Sequence, residues 1–450
     1  MALTRTDACI STRTVPFYIH RNFSLLWIGR GISNLGDAVF TTTLILWVAS
    51  IIARGQSWAP LATGGIFLAT GVPVLLIGPL AGVFVDRWDK RRTMVCVDIL
   101  RAILIALLLL FSGSIPLPWL PAPRLPALWQ LGMIYAVLFC CSTCSQFFGS
   151  SRLALIGMLV SRQDRSRAIG LLQATQGTVS IIGPALAALL LFSLGVQWAL
   201  LLNALSFVVS FLTLQAIHLP GSRTPASKQA SSPFLRELSE GLRFFTGNPG
   251  LLTLLLVILV STFGGVSLTT LGVYFVTDNL HIAARYFSLL DGALGVGVVI
   301  GGLCAAVFTR RLGPAKSFAL AMLTGGLSLL VFARMTILLP ALLLILLFGL
   351  FLSIVNNAVN TLLLHLTPQI LLGRIMAIFV PLETLTSLVS TALVGVLVSE
   401  VLRRPIMVLG ISLGRIDSIY LAAGFLFCLA GLYALIKLRV LEAPPAHRPG

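Results

Sequence analysis

Arg30 and Asp37 stand seven residues apart in an otherwise apolar run. At helical pitch that is two turns, so the two side chains share a face. Asp98 and Arg101, spaced i,i+3, can pair in the same way. Glu383 sits alone among apolar residues with no cation nearby in sequence. Low dielectric favours the neutral acid, and a neighbouring cation favours the carboxylate. A carboxyl poised between those states can take up and release a proton. On this ground Asp37 and Glu383 are candidate proton carriers, and Arg30–Asp37 and Asp98–Arg101 are candidate intramembrane charge pairs. A static pairing of Asp37 with Arg30 stays open beside the proton role.

The elements that carry these groups follow from composition. The chain has 450 residues, 57% hydrophobic and 10% charged, with mean hydropathy +1.01. Soluble domains carry about a quarter charged residues, so the surface of this chain must face hydrocarbon. A crossing helix needs about 20 apolar residues. Spans are expected near 23–50, 60–83, 93–112, 128–150, 169–192 and 196–217, and near 250–276, 285–308, 317–337, 339–364, 374–399 and 413–438. Asp37 then lies about 21 Å into the first span and Glu383 about 14 Å into the eleventh, at 1.5 Å per residue.

The fold class expected is an all-α polytopic membrane protein of twelve helices in two six-helix bundles. Its parts are an arm over 1–22, bundles over 23–217 and 250–438, a linker over 218–249 and a tail over 439–450. In the linker, Leu235, Leu238, Leu242 and Phe245 recur at helical spacing, which suits a helix lying on the membrane surface.

The net charge is +17. The basic residues are distributed by side: 22 of the 31 Lys and Arg fall on the N-terminal arm, alternate loops and the tail, against 6 on the other loops. That asymmetry places both termini in the cytoplasm and makes anionic lipids, not nucleic acid, the partners of the basic face. The seven cysteines are scattered and mostly apolar in context, which suits packing and not a metal site. The five histidines do not cluster, and no G-x-x-x-x-G-K-[ST] phosphate loop occurs. An enzyme, a cofactor and an ATP-driven engine are therefore not expected.

The stretch GVFVDRWDKRR, Gly82–Arg92, joins the second and third spans. It resembles the signature loop G-x-L-a-D-r-x-G-r-[RK]-[RK] of the major facilitator superfamily. Gly82, Asp86, Arg87, Lys90, Arg91 and Arg92 match it, while Phe84 and Asp89 replace its Leu and second Gly. The DRWD form, together with Asn22–Phe40 and Asp98–Ala102, resembles the macrolide-efflux and siderophore-export branch, of drug:proton antiporter type. Gly183 and Pro184 resemble the fifth-helix exporter motif, without its usual Gly pair, and Gly373–Ile378 resembles the start of the eleventh helix.

The resemblance implies an alternating-access transporter that exports a hydrophobic or amphipathic small molecule against inward proton flow. It implies a monomer in the bacterial inner membrane. It also implies that Asp86 meets the N-terminal end of the eleventh helix at Arg374 and latches the cytoplasmic side. A carboxylate at a helix N-terminus is favourable by about 0.3–1 kcal/mol. Gly82 would permit close approach there, and the basic run would hold carboxylates or lipid phosphates.

The second half keeps a degraded copy of the loop, Phe308–Ser317, in which Gly313 aligns with Asp89. Asn34, Phe40, Gln146, Gln173, Gln176, Asn356, Asn360 and Phe379 are candidates to line a substrate cavity. Two other functions stay open. One is an exporter dedicated to a single metabolite, such as a siderophore, or a lysophospholipid flippase. The other is a transport-inactive sensor or scaffold.

Overall fold

A computed structural model describes residues 21–111, 126–161, 164–217, 242–368, 371–401, 406–408 and 411–442. Twelve of its helices are long and apolar enough to cross a bilayer. They are α1 Arg21–Trp47, α2 Ala59–Arg87, α3 Lys90–Phe111, α4 Ala127–Leu159, α5 Arg165–Leu189 and α6 Val196–Gln215. The second six are α7 Pro249–Tyr274, α8 Phe287–Leu312, α9 Pro314–Phe332, α10 Leu338–Leu366, α11 Leu372–Val396 and α12 Arg415–Glu442. This is the expected all-α architecture of two six-helix bundles, with one addition. A two-stranded antiparallel ribbon, Ile406–Val408 with Ile411–Leu413, precedes α12.

Helices dominate because hydrocarbon offers no partner for a free backbone N–H or C=O. Pro73, Pro79, Pro184 and Pro381 sit inside helices, which bundles tolerate when neighbouring groups re-satisfy the freed carbonyls. Wide π-type turns prolong α1 (Val48–Ile52), α5 (Leu190–Leu194), α7 (Phe275–Asn279) and α11 (Leu397–Val401). These are equivalent helices of the two halves, first with seventh and fifth with eleventh. The same local distortion thus recurs across the internal repeat.

The repeat is also visible at the loops. Asp89 directly precedes α3 and Gly313 directly precedes α9. Asp89 Oδ1 accepts from the Arg92 backbone N–H at 2.8 Å, and its carbonyl accepts from Thr93 Oγ1 at 2.8 Å. It is an N-cap, which accounts for an acid in a basic run. Gly313 has φ 81° and turns the chain directly from α8 into α9.

Helix ends fix where several charges sit. The charged turn between α2 and α3 marks one face of the bundles, and the opposite end is called the far face. Helix α4 continues to Leu159, past its expected end at 150, and so carries Arg152 inside a helix and not in a loop. Arg415 opens α12 and its Nη2 donates to Asp278 Oδ2 at 2.6 Å at the end of α7. Arg334, after α9, pairs with Asp417 at 2.9 Å.

The bundles meet from mid-helix to the far face. A Cβ on Gly71 would come within 2.5 Å of Leu388, and one on Gly295 within 2.9 Å of the Ser180 carbonyl. Gly395 faces the Leu61 backbone at 3.3 Å, and Thr63 Oγ1 donates to Tyr274 Oη at 3.4 Å. Toward the charged turn, a Cβ on Gly82 or Gly170 would meet no described residue within 4 Å.

Gly295→Leu should part α5 from α8 at the far face, since the added side chain meets backbone, at a cost of about 1–3 kcal/mol. That is the scale separating two conformers of such a protein. Spin labels at the exposed far-face residues 54 and 285 should report longer distances in the variant, and an unchanged distribution would refute the closure contact.

Candidate functional site

Helices α1, α3, α4 and α6 enclose a charged cluster in the N-terminal bundle. Its geometry starts with a close helix approach: a Cβ on Gly36 would lie 2.6 Å from Asn203 Oδ1, so α1 lies against α6. This brings Asp37 to Asn203. Arg30 Nη1 lies 3.9 Å from Asp37 Oδ2, with the aspartate side chain still 39% exposed. Asp98 and Arg101 are fully buried and 4.0 Å apart. Arg101 Nη2 donates to Ser145 Oγ at 2.6 Å, and Ser145 Oγ donates on to the Cys141 carbonyl at 3.0 Å.

Both guanidinium groups use the Phe148 ring. Arg30 lies 5.1 Å from its centroid and Arg101 5.3 Å, with Phe207 at 5.3 Å from Arg101 on the other side. Cation–π contact contributes most when desolvated. Even so, Asp98 Oδ1 and Oδ2, Arg101 Nε and Nη1, Arg30 Nε and Nη1, and Arg152 Nε have no hydrogen-bond partner among the described residues. The cluster is held by charge and arene faces more than by directed hydrogen bonds. Both pairs expected from the sequence are present, and the structure joins them into one network. Arg152, two residues beyond the expected end of α4's span, belongs with them and is absent from the sequence expectations. The polar run Ser150–Ser151 ends the hydropathy signal there, but helix geometry carries on beyond it.

In the C-terminal bundle, α7, α10 and α11 line a cavity of about 430 Å³. Asn356, Asn360, Phe379 and Glu383 all line it, with Ser261 and Thr262 from α7. Three of the cavity candidates and the second candidate proton carrier are thus brought together. On α5, Gln173 and Gln176 are exposed, and Gln173 shares a helical face with Gly177 and Ser180, which meet α8. Gln146 Nε2 donates to the Ser142 carbonyl at 3.3 Å and its side chain faces Gly78 on α2. Asn34 and Phe40 are both buried in the bundle, Phe40 at 3% exposure within the main apolar core.

The charged turn is partly explained. Arg91 Nε donates to the Leu214 carbonyl at 2.9 Å, and its Nη2 to the Gln215 carbonyl at 2.6 Å. It closes the C-terminal end of α6, where carbonyls lack helical partners. The expectation that Arg91 holds a carboxylate or lipid phosphate is corrected accordingly. The side chains of Asp86, Arg87 and Arg374 lie outside the described residues, as do the arm to residue 20 and linker residues 218–241. Of the linker's apolar stripe, Phe245 is buried and Leu242 half exposed. Gly183 has a clear role: a Cβ there would sit 2.7 Å from Ala38 Cβ, so α5 rests directly on α1, with Pro184 next to it inside the helix. Among the cysteines, Cys144 is buried, but Cys96 and Cys140 are exposed on the bundle exterior and do not pack inside it.

Comparison with known proteins bears on these features. Residues 26–391 match the family model described as Major Facilitator Superfamily. Macrolide efflux protein A of Streptococcus pyogenes is 25% identical over 289 residues, 64% of this chain and 66% of that protein, just under two thirds of its length. The enterobactin exporter EntS of Shigella flexneri is 27% identical over 332 residues, covering 71% of this chain and 72% of the relative. Among solved structures, a bacterial homologue of the iron transporter ferroportin in its inward-facing state superposes with TM-score 0.70. It is 17% identical and covers 92% of this chain and 98% of its own.

The buried Asp98–Arg101 pair generates a stability cycle. Asp98→Leu or Arg101→Met alone should cost about 3–5 kcal/mol, because each strands an uncompensated charge. The double variant should recover most of that loss, and thermal unfolding of the four proteins in one detergent measures the coupling.

Proposed function

The chain belongs to the Major Facilitator Superfamily, and on that footing we propose that it exports hydrophobic or amphipathic small molecules by alternating access, driven by inward proton flow. It is a multi-pass membrane transporter and not an enzyme, as its relatives and fold neighbours are transporters. The observation that supports the alternating-access reading is the packing of the two bundles on each other toward the far face, with carboxyls reachable inside each half. With the basic loops in the cytoplasm, that packing suits a state loaded from the cell interior, and the direction of movement rests on the likeness to exporters.

Asp37 and Glu383 are the coupling carboxyls in this reading. Asp37 is partly open and tied to a cation 3.9 Å away, so protonation would release Arg30. Glu383 lines a cavity with Asn356 and Asn360, which supply polar contacts beside the apolar walls of Phe379, Val355 and Leu352. That mixture suits an amphipathic cargo. Closure on the cytoplasmic side would bring Asp86 to the start of α11 and Arg374. The likeness to macrolide and enterobactin exporters supports outward movement and agrees with a bulky cargo. The bacterial inner membrane, cytoplasmic termini and monomeric action complete the proposal.

Transport in proteoliposomes with an imposed pH gradient tests it. Asp37→Asn should abolish gradient-driven movement of amphipathic dyes while preserving the folded protein, and Glu383→Gln should reduce it at least about tenfold, the effect of one lost proton-transfer group. Undiminished pumping by both variants would remove these carboxyls from the mechanism. Movement of no amphiphile by the unaltered protein would overturn the export reading.

A further inference from the structure

A second carboxyl site lies away from both groups above. Asp291 is the fifth residue of α8, a position near the end of its span that suits a wetted helix-end charge or an entry point for a proton or cation. The structure places it in the wall of a cavity of about 200 Å³. The cavity is built across the two bundles. Thr41, Thr42, Ile45 and Phe67 come from α1 and α2, and the remaining wall from α7, α8, α9, α10 and α12.

Three features define what could occupy it. First, the wall is aromatic. Phe275, Phe332 and Tyr420 form a mutual cluster with ring centroids 4.3, 5.5 and 5.7 Å apart, and Phe287 and Phe67 complete the surround. Second, Asp291 is the acidic residue of that wall, and no Lys, Arg or His among the described residues lines it. No ion pair of Asp291 occurs among the described residues, in contrast to Asp37, Asp98, Asp278 and Asp417. Third, the Tyr420 hydroxyl is fully buried and has no hydrogen-bond partner among the described residues. An orphaned hydroxyl and an unpaired acid in one apolar enclosure are unfavourable unless a ligand supplies what they lack.

We propose that this cavity is a binding site for a lipophilic organic monocation, with Asp291 as its counter-charge and the Phe67–Phe275–Phe287–Phe332–Tyr420 surface as its apolar and cation–π enclosure. An arene wall attracts positive charge and repels an anion from its faces. A neutral amphiphile would leave the acid unpaired, and a small hydrated cation would leave the arenes unused. Both bundles supply wall residues, so the ligand bridges them, and separation of the far face would dismantle the site. The site deepens the exporter reading and rests on it only for the direction of movement, since occupancy needs no gradient.

The test uses the purified full-length protein in detergent micelles, with equilibrium binding of tetraphenylphosphonium and of its near-isosteric anion tetraphenylborate. Micelles without protein give the partition background. The expected result is saturable binding of the phosphonium and none of the borate. Asp291→Asn should weaken phosphonium binding by about tenfold or more, the scale of a lost charged partner. Asp291→Glu should restore it to within a few-fold, which a merely structural role of the position would not produce, and the melting temperature of each variant reports its fold.

Equal phosphonium binding by the unaltered protein and Asp291→Asn, or borate binding as tight as phosphonium, would overturn the proposal. So would the absence of saturable binding. The two readings fail separately. Binding that follows Asp291 without any gradient-driven transport sinks the exporter and keeps the site. Gradient-driven export with binding indifferent to Asp291 sinks the site and keeps the exporter.

Discussion

Hydrocarbon as solvent is the constraint on which the rest depends. An unsatisfied peptide group in the bilayer core costs several kcal/mol, so the chain closes its hydrogen bonds within helices and has little left to attract one helix to another. Association then falls to close packing and to the few polar groups admitted. The two bundles answer this differently. The N-terminal half gathers Arg30, Asp37, Asp98 and Arg101 around Phe148, giving a charged interior. The C-terminal half packs Phe275, Phe332, Phe348, Tyr420 and Phe427 in arene clusters and keeps its ion pairs at the far end.

This asymmetry matters for any rocking motion. A charged interior without full hydrogen bonding is sensitive to a change in the charge of one member, whereas an arene core is indifferent to it. The charged interior of one half and the arene interior of the other are thus physically distinct. Between them, close contact among the described residues includes glycines, the hydroxyl pair Thr63 with Tyr274 and apolar side chains of both halves. Such contacts are short-ranged, so they hold firmly when seated and vanish once the surfaces separate by about an ångström or two.

Much of this is legible in the sequence because the bilayer imposes a length on every span. The twelve helices follow from hydropathy, and charge pairs at i,i+3 and i,i+7 follow from helical pitch. Asn356, Asn360 and Phe379 stand out as cavity candidates and Glu383 as an isolated acid, although no pattern within one helix says that α7 lines the same cavity. What escapes has a common cause, for hydropathy locates the membrane boundary and not the end of a helix. Arg152 reads as a loop residue because polar residues precede it, yet α4 carries it inward to the cluster. Asp291 reads as a wetted terminal charge because it lies early in its span. Its enclosure depends on residues from six other helices, which no local pattern encodes. Phe40 is ambiguous in another way: an aromatic in α1 is as fit for the core as for a cavity, and rotation of the helix decides which it meets.

The contact of Arg91 with the last carbonyls of α6 has a mechanical consequence. It rivets the start of the third helix to the end of the sixth, elements separated by more than a hundred residues of chain. With Asp89 capping the same helix start, the signature turn becomes part of the N-terminal bundle's rigid frame and not a free strap. Any docking that it performs must then be done by the bundle swinging as a whole, like a pawl fixed to its wheel. The energy of such a catch would be felt across the full lever arm of six helices.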